Sequence, residues 1–498
     1  MNKTFYYLTA SAIALSGCNS GASNGSIATS NGDMPNLLVI HTDEHSFRTL
    51  SCYQELLPQS EAFVWGKDCN STTPNIDRLA KEGAICMRYY CSTPVSTPSR
   101  SCFVTGHYPN ETGAWHNELA LRKDMPTFGT ILRDNGYATS YVGKWHMSGG
   151  EGKYTFNVAY NGGFTDNKYM MNSGHAPFFQ LDKDGEVITA LNKNQVTKAI
   201  KDEYELVHMT DFFTDKTIDI INRDSKKPFA IMLSIPDPHT PDYALPEYYD
   251  KYKDIEPTMP ISGSAANRAA RPLWADTGKN DTDSLNVEGL KNYFGMVSHI
   301  DDSVGRLLKA LDDNGVLDNT IIVFTADHGE MYGEHGRMNK GNPYEGSTRI
   351  PFVIRYPKAI KAGKVLTKSY SNVNFTPTIL AMMGVDGSTT FTGVDDSSDF
   401  TSNNIKDQSR MVYLSGEEND WAAAVDDRYK LVLSLIDEPW LFDLIEDPNE
   451  LTNLYNDPKY EDIARQMQKS LEERLCTSLL LRNGTKGLKA GKYSSLIF

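Results

Sequence analysis

Cysteine is scarce in this chain, with seven in 498 residues. None stands in a Cys-x-x-Cys or other zinc-type spacing, which removes finger and ribbon metal sites from consideration. Basic excess is also absent. There are 49 Lys and Arg against 64 Asp and Glu, for a formal net charge of −15, so a nucleic-acid partner is not expected. An anionic ligand stays compatible, because a local pocket of Lys, Arg and metal can sit on an acidic protein. The apolar stretch near the start, Phe5 to Leu15, falls short of the ~20 residues that usually span a bilayer. No internal repeat is present. What remains is a chain with 40% hydrophobic and 10% aromatic residues. It can build a sizeable core and, at ~150 residues per domain, has room for two or three units.

Short apolar runs alternate with helical patterns. Asn36–His41, Tyr137–Val142, Phe229–Ile235, Thr320–Thr325 and Ile350–Ile354 read as buried strands. Thr73-Pro74 opens a helix with a Thr cap and Pro at its first position, and Gly83 closes it. Met125–Asp134 reads as a helix ending at Asn135-Gly136. Tyr293, Val297, Ile300, Val304, Leu308 and Leu311 recur at helical spacing along one face. This alternation predicts an α/β fold: a large, mostly parallel or mixed sheet sandwiched by helices. Residues 148–202 are polar and rich in Gly and Asn, the kind of insert that shapes binding sites. Past the polar segment 386–407 the pattern becomes short strands (Met411–Leu414, Trp421–Val425, Tyr429–Ser434, Trp440–Phe442) and a last helix, Tyr460–Leu475. That predicts a smaller C-terminal antiparallel sheet plus helix. The expected organisation is a leader at 1–18, a tether at 19–33, a catalytic domain at 34–385 and an α+β subdomain at 386–498.

Three strand ends carry polar clusters, and in open α/β sheets ligands bind beyond the carboxyl ends of the strands. Asp43-Glu44 follows the first strand and Asp327-His328 a late one. Together they offer three carboxylates and an imidazole to a cation, and carboxylates suit Ca²⁺, although His328 is a softer donor than Ca²⁺ usually takes. Lys144, His146, His239 and Lys340 add two point charges and two groups able to move a proton. Taken singly, each also reads as an ordinary loop residue.

Ser96-Thr97-Pro98-Ser99-Arg100, followed by Ser101-Cys102-Phe103-Val104-Thr105-Gly106, has the pattern Ser-x-Pro-Ser-Arg-x-x-x-x-Thr-Gly. On its own this is also a Pro-containing helix start. The pattern resembles the signature of the type I sulfatases, whose first residue is oxidised to Cα-formylglycine. The resemblance extends over almost the whole chain after residue 33. It runs through Pro35–Glu44, Thr73–Leu79, Gly143-Lys144-Trp145-His146, Pro238-His239-Thr240-Pro241, Asn319–Gly329, Lys340 with Tyr344-Glu345-Gly346, and Trp440–Leu444 with Asp447–Glu450. The chain is thereby identified as a member of the alkaline phosphatase superfamily, similar to its serine-type bacterial carbohydrate sulfatases. The resemblance implies hydrolysis of sulfate esters. It implies that Ser96 is the formylglycine precursor and a ligand of one Ca²⁺ held with Asp43, Glu44, Asp327 and His328. Arg100 then steadies the formylglycine hydrate, Lys144 and Lys340 hold the sulfate, His239 protonates the leaving alcohol, and His146 contacts the formylglycine. A plain Ser needs a neighbouring base to react; a geminal diol on a cation does not. Two residues depart from the family pattern: Glu44 stands where Asp or Gln is more usual, and Ser96 stands in place of Cys. A serine-type maturase is therefore an implied partner.

Leu15-Ser16-Gly17-Cys18 resembles a bacterial lipoprotein box behind Lys3 and the apolar core. It implies cleavage before Cys18 and a lipid anchor on a membrane, with 19–33 as a Ser/Gly/Asn-rich tether. The substrate expected is a sulfated glycan, with His45, Trp115, His116, His335, Arg337 and the 148–202 insert as candidate sugar contacts. Cys52 and Cys69 are a candidate disulfide, and Cys102 reads as a small buried hydrophobe. A phosphonate or phosphodiester hydrolase on the same scaffold, or a glycan-binding lipoprotein with an unconverted Ser96, remain the competing readings.

Overall fold

In chain order the strands are β1 (Asn36–Thr42), β2 (Ala84–Tyr90), β3 (Ala138–Lys144), β4 (Met170–Met171), β5 (Phe178–Leu181), β6 (Val187–Leu191), β7 (Glu205–His208), β8 (Phe229–Ile235), β9 (Thr320–Ala326), β10 (Arg349–Ile350), β11 (Phe352–Arg355), β12 (Lys364–Ser371), β13 (Val412–Ser415), β14 (Trp421–Val425), β15 (Tyr429–Ser434) and β16 (Trp440–Asp443). The helices that matter here are α1 (Pro74–Glu82), α2 (Ser96–Thr105), α3 (Met209–Asp224), α4 (Val287–Asp313), α5 (Phe375–Met382) and α6 (Glu461–Arg474). This computed structural model describes residues 34–474 apart from 193, 196–203, 276–279, 388, 404–409, 418–419 and 435. The leader, the tether, Cys18 and Cys476 lie outside the described residues.

The large sheet runs β12–β2–β11–β9–β1–β8–β3–β4, with β10 also on β2. Its centre is parallel: β1 pairs in parallel with β8 and β9, and β3 with β8. β11 and β10 run antiparallel to their neighbours, so the sheet is mixed. Alternate residues point to opposite faces. Leu38 and Ile40 of β1 join a core with Phe213, Ile300 and Val304 of α3 and α4. Leu37 and Val39 join the other core, with Phe103 of α2 and Ile379 of α5. That two-sided burial is why these strands read as unbroken apolar runs.

β13–β16 form a separate antiparallel sheet. Ala422, Ala424, Leu431 and Leu433 pack with α6, with Cys102 of α2 and with Tyr108 just past it. The sequence thus places the central strands and the C-terminal sheet within a residue or two. It does not foresee β2, β12 or the small β6–β5–β7 sheet of the insert.

Two local expectations need correction. Thr73 makes no side-chain cap on α1. The Asp301 carboxylate of α4 takes that place, accepting from the N–H of Asn75 at 3.0 Å and of Ile76 at 2.8 Å. Cys52 and Cys69 are free, buried thiols, and Cys69 Sγ donates to the Trp65 carbonyl at 3.4 Å. Cys102 is buried within a hydrophobic cluster, as expected. Among the described residues no helix is long and apolar enough to cross a membrane.

Candidate active site

The parallel strands β1, β3, β8 and β9 end together, and their next residues make the site. Asp43 and Glu44 follow β1, Lys144 closes β3 with His146 just beyond, His239 lies four residues after β8, and Asp327-His328 follow β9. Backbone bonds lock these ends: the Asp43 N–H donates to the Asp237 carbonyl at 3.2 Å, that of His45 to the His328 carbonyl at 2.9 Å, and that of Asp327 to the Thr42 carbonyl at 3.1 Å. Gly143 lets β3 approach β8, because a Cβ there would lie 1.9 Å from the Ser234 carbonyl oxygen. Glu44 and His146 hold φ of 60° and 57°, a left-handed conformation costing about 1–2 kcal/mol per non-glycine residue. Such strain concentrates at functional sites.

Ser96 opens α2 and is 2% exposed. Its Oγ lies 3.1 Å from His328 Nε2. Three further bonds fix the first turn of the helix. Thr97 Oγ1 donates to the His146 carbonyl at 2.6 Å, the Ser99 hydroxyl donates to the Asp327 carbonyl, and the Thr97 N–H donates to Asn117 Oδ1 at 3.1 Å. Arg100 sits one turn on, wholly buried. Its Nε donates to Asp327 Oδ2 at 3.1 Å, its Nη1 to the Lys144 carbonyl at 3.0 Å and to Ser234 Oγ at 2.7 Å, and its Nη2 lies 3.3 Å from Asp43 Oδ2.

Three cations face three carboxylates here. Lys144 Nζ donates to Asp43 Oδ2. Lys340 Nζ lies 3.0 Å from Glu44 Oε1 and 2.9 Å from His239 Nε2. Burial opposes charge on Asp43, but Lys144 and Arg100 hold its carboxyl well below the usual range. His239 and Lys340 do the same for Glu44 against burial. Burial, reinforced by Lys144 and Arg100, keeps the His146 ring neutral.

The sulfatase family model matches residues 35–385. This chain belongs to the sulfatase family. As a sulfatase it hydrolyses sulfuric esters, on an alkaline phosphatase-like fold. A second model, described as N-sulphoglucosamine sulphohydrolase, C-terminal, matches residues 333–476. The N-acetylglucosamine-6-O-sulfatase of Bacteroides thetaiotaomicron is 28% identical over 522 residues, covering 88% of this chain and 86% of that protein. The choline-sulfatase of Rhizobium meliloti is 30% identical over 447 residues, covering 85% and 83%. A solved structure of a protein in complex with its substrate D-glucosamine-2-N,6-O-disulfate superposes with a TM-score of 0.71 at 24% identity, over 89% of this chain and 98% of that one.

The donors of the sulfatase site fit a divalent cation. Asp43 Oδ1 is buried without a hydrogen-bond partner, a costly state for an anion unless a cation satisfies it. Ligand atoms of Asp43, Asp327 and His328 lie within 4.8 Å of one another. Glu44 turns its carboxylate toward His239 and Lys340 instead.

The ten residues expected from the sequence as catalytic or metal-ligating all meet at these strand ends. His175 was missed. It comes from the 148–202 insert, lies 2.8 Å from Lys144 Nζ and 3.3 Å from Asp43 Oδ2, and stacks on His239 with ring centroids 3.7 Å apart. No motif surrounds it, and only the fold of the insert carries it in. Of the candidate sugar contacts, Trp115 and His116 are half-buried beside the Asn117 that binds Thr97. His45, His335 and Arg337 are buried instead. His45 contacts Phe324 edge-on, His335 stacks on Tyr344, and Arg337 donates to the Ala275 carbonyl and Asp281.

Proposed function

We propose that this sulfatase hydrolyses O-sulfate esters of a glycan, with Ser96 as the site of the nucleophile. The observation that carries the reading is Ser96 itself. It is held in the first turn of a buried helix, 3.1 Å from His328, inside a ring of three cations and three carboxylates. Asp43, Glu44, Asp327 and His328 would hold a Ca²⁺ that offsets negative charge at this position, and Ser96, once oxidised to formylglycine by the maturase and hydrated, would supply the oxygen nucleophile for sulfur. Lys144 and Lys340 draw the non-bridging sulfate oxygens and stabilise charge as it develops. Arg100 fixes the carboxylates of Asp43 and Asp327. His239 is the general acid. The Thr240 carbonyl, 2.7 Å from Nδ1, fixes a proton there. Through Nε2, which lies 3.0 Å from Glu44 Oε2 and 2.9 Å from Lys340 Nζ, the ring passes a proton to the leaving alcohol oxygen as the S–O bond breaks. His146 has a buried Nδ1 without a partner, placed to take up a proton as sulfate leaves.

A glycan substrate is supported by the relative that acts as an N-acetylglucosamine-6-O-sulfatase. The half-buried Trp115 and His116 beside the cleft suit sugar stacking and hydrogen bonding. Export and lipid anchoring through Cys18 belong to the same proposal and rest on Leu15–Cys18. Mass spectrometry of the mature amino terminus tests them.

The test of activity coexpresses protein lacking residues 1–18 with a serine-type maturase. Sulfated mono- and oligosaccharides are then supplied with Ca²⁺, beside matched phosphate esters. Sulfate release that vanishes in Ser96→Ala supports the proposal. Phosphate release exceeding sulfate release overturns it, as does release undiminished in the variant.

A further inference from the structure

Behind the active-site wall, where α3 crosses the middle of α4, two imidazoles and a carboxylate converge. His208 ends β7 and caps α3, its Nδ1 accepting the Thr210 N–H at 3.3 Å. Its other nitrogen, Nε2, is buried and has no hydrogen-bond partner. His299 lies on the buried face of α4. Its Nε2 is 3.1 Å from Asp211 Oδ1. The two rings are 4.7 Å apart, and one ligand atom from each of His208, Asp211 and His299 lies within 4.8 Å of the other two.

We propose that His208, Asp211 and His299 form a second metal site, for a zinc-class divalent transition ion. Two imidazole nitrogens and one carboxylate oxygen are the donor set such ions prefer, and one that a hard oxygen-seeking cation does not. Burial, with His299 beside it, pushes the His208 ring down to about 3, so no ring charge opposes an ion at ordinary pH; binding through Nε2 moves the ring proton to Nδ1 and releases the long Thr210 N–H contact there. The Asp211 carboxylate is 31% exposed, which leaves an entry path and room for a water as fourth ligand. Arg306 donates to Asp211 Oδ1 at 2.9 Å and orients the carboxylate from outside, as outer partners of metal-bound carboxylates do. Tyr248 stacks on the His299 ring at 4.5 Å and holds its plane.

The position gives the site a consequence for the active site. His208 pairs with Phe178 across β5 and β7, and the next N–H, of Met209, donates to the Pro177 carbonyl at 2.8 Å. His175 immediately precedes this segment. An ion bound here ties the insert that delivers His175 to α4.

The test is a titration of chelator-stripped protein with Co²⁺ in excess Ca²⁺, read by visible absorption. The expected result is one equivalent of Co²⁺ with the intense d–d bands of a low-coordinate nitrogen-and-oxygen site. These bands persist in Asp43→Asn, vanish in His299→Gln and His208→Gln, and are displaced by Zn²⁺. Zn²⁺ also raises the melting temperature of the wild type and not of His299→Gln. Absence of bands in the wild type overturns the proposal. So do bands that survive His299→Gln and disappear in Asp43→Asn, which place the ion in the active site. Circular dichroism establishes that each variant is folded; if neither His variant folds, the wild type and Asp43→Asn decide.

Discussion

Lowering the pH from 7.5 to 5.5 is expected to remove a large part of this protein's stability, through histidines that the fold keeps neutral. His41 lies in β1 and His45 just past it, both buried. Burial pushes each ring down to about 3, with Arg100 adding to the effect at His41. In the unfolded chain each protonates near pH 6.5. The unfolded state therefore binds more protons below that pH, and stability falls as pH falls. The contribution is intact above about pH 6.5, declines below it and levels off near pH 3. At pH 5.5 each ring costs about 1.4 kcal/mol, so the pair costs about 3 kcal/mol against a typical total of about 5–15 kcal/mol. Asp43 and Glu44, held well below the carboxylate range, lose their contribution only under about pH 4 and do not enter this window. The assay is urea unfolding by circular dichroism at both pH values, for wild type and His45→Gln. Because other buried histidines add to the wild-type slope, the difference between the two proteins is the readout. The variant should lose about 1.4 kcal/mol less than the wild type over this interval. Equal losses would refute the reasoning, since His45 would then titrate alike in both states.

His239→Asn should lower turnover of alkyl sulfates by about 10²–10⁴-fold and of activated aryl sulfates far less, measured by sulfate release, because only a poor leaving group needs the proton. Lys430 is wholly buried, 2.7 Å from Glu345 and 2.9 Å from Glu450. Lys430→Met leaves Glu450 without its cation and Glu345 with only Arg349 and Tyr90, and should cost about 3–5 kcal/mol in denaturant unfolding, most of it recovered when Glu345→Gln and Glu450→Gln are added. Asp301→Ala uncaps α1 and should cost about 1–2 kcal/mol in the same assay, with the activity assay unchanged.

Much of the site was legible in the sequence because most of its residues follow largely apolar strands that are buried at every position. β1, β8 and β9 announce themselves by burial on both faces, and their carboxyl ends point to Asp43, Asp327 and the loop carrying His239. Ser96 and Arg100 are one helical turn apart, so a local pattern contains them both. β2 and β12 escaped because Arg88 and the alternating Lys364–Ser371 dilute the apolar signal. β12 is a strand because β2 offers it a partner. The Asp301 cap joins residues 226 apart in the chain, and no local signal for Thr73 reveals that a better acceptor arrives from α4.

The sequence by itself determined the strand–helix alternation and the helix that opens at Ser96, because these are set by short-range periodicity or adjacency, while the ten residues of the site were picked out through their resemblance to the sulfatase motifs. The tertiary structure alone decided that His175 enters the cleft, that His45, His335 and Arg337 turn into the interior, that Glu44 faces Lys340, and that His208, Asp211 and His299 converge. Those are contacts between segments far apart in the chain, and they depend on how strands and helices pack rather than on what any one segment prefers.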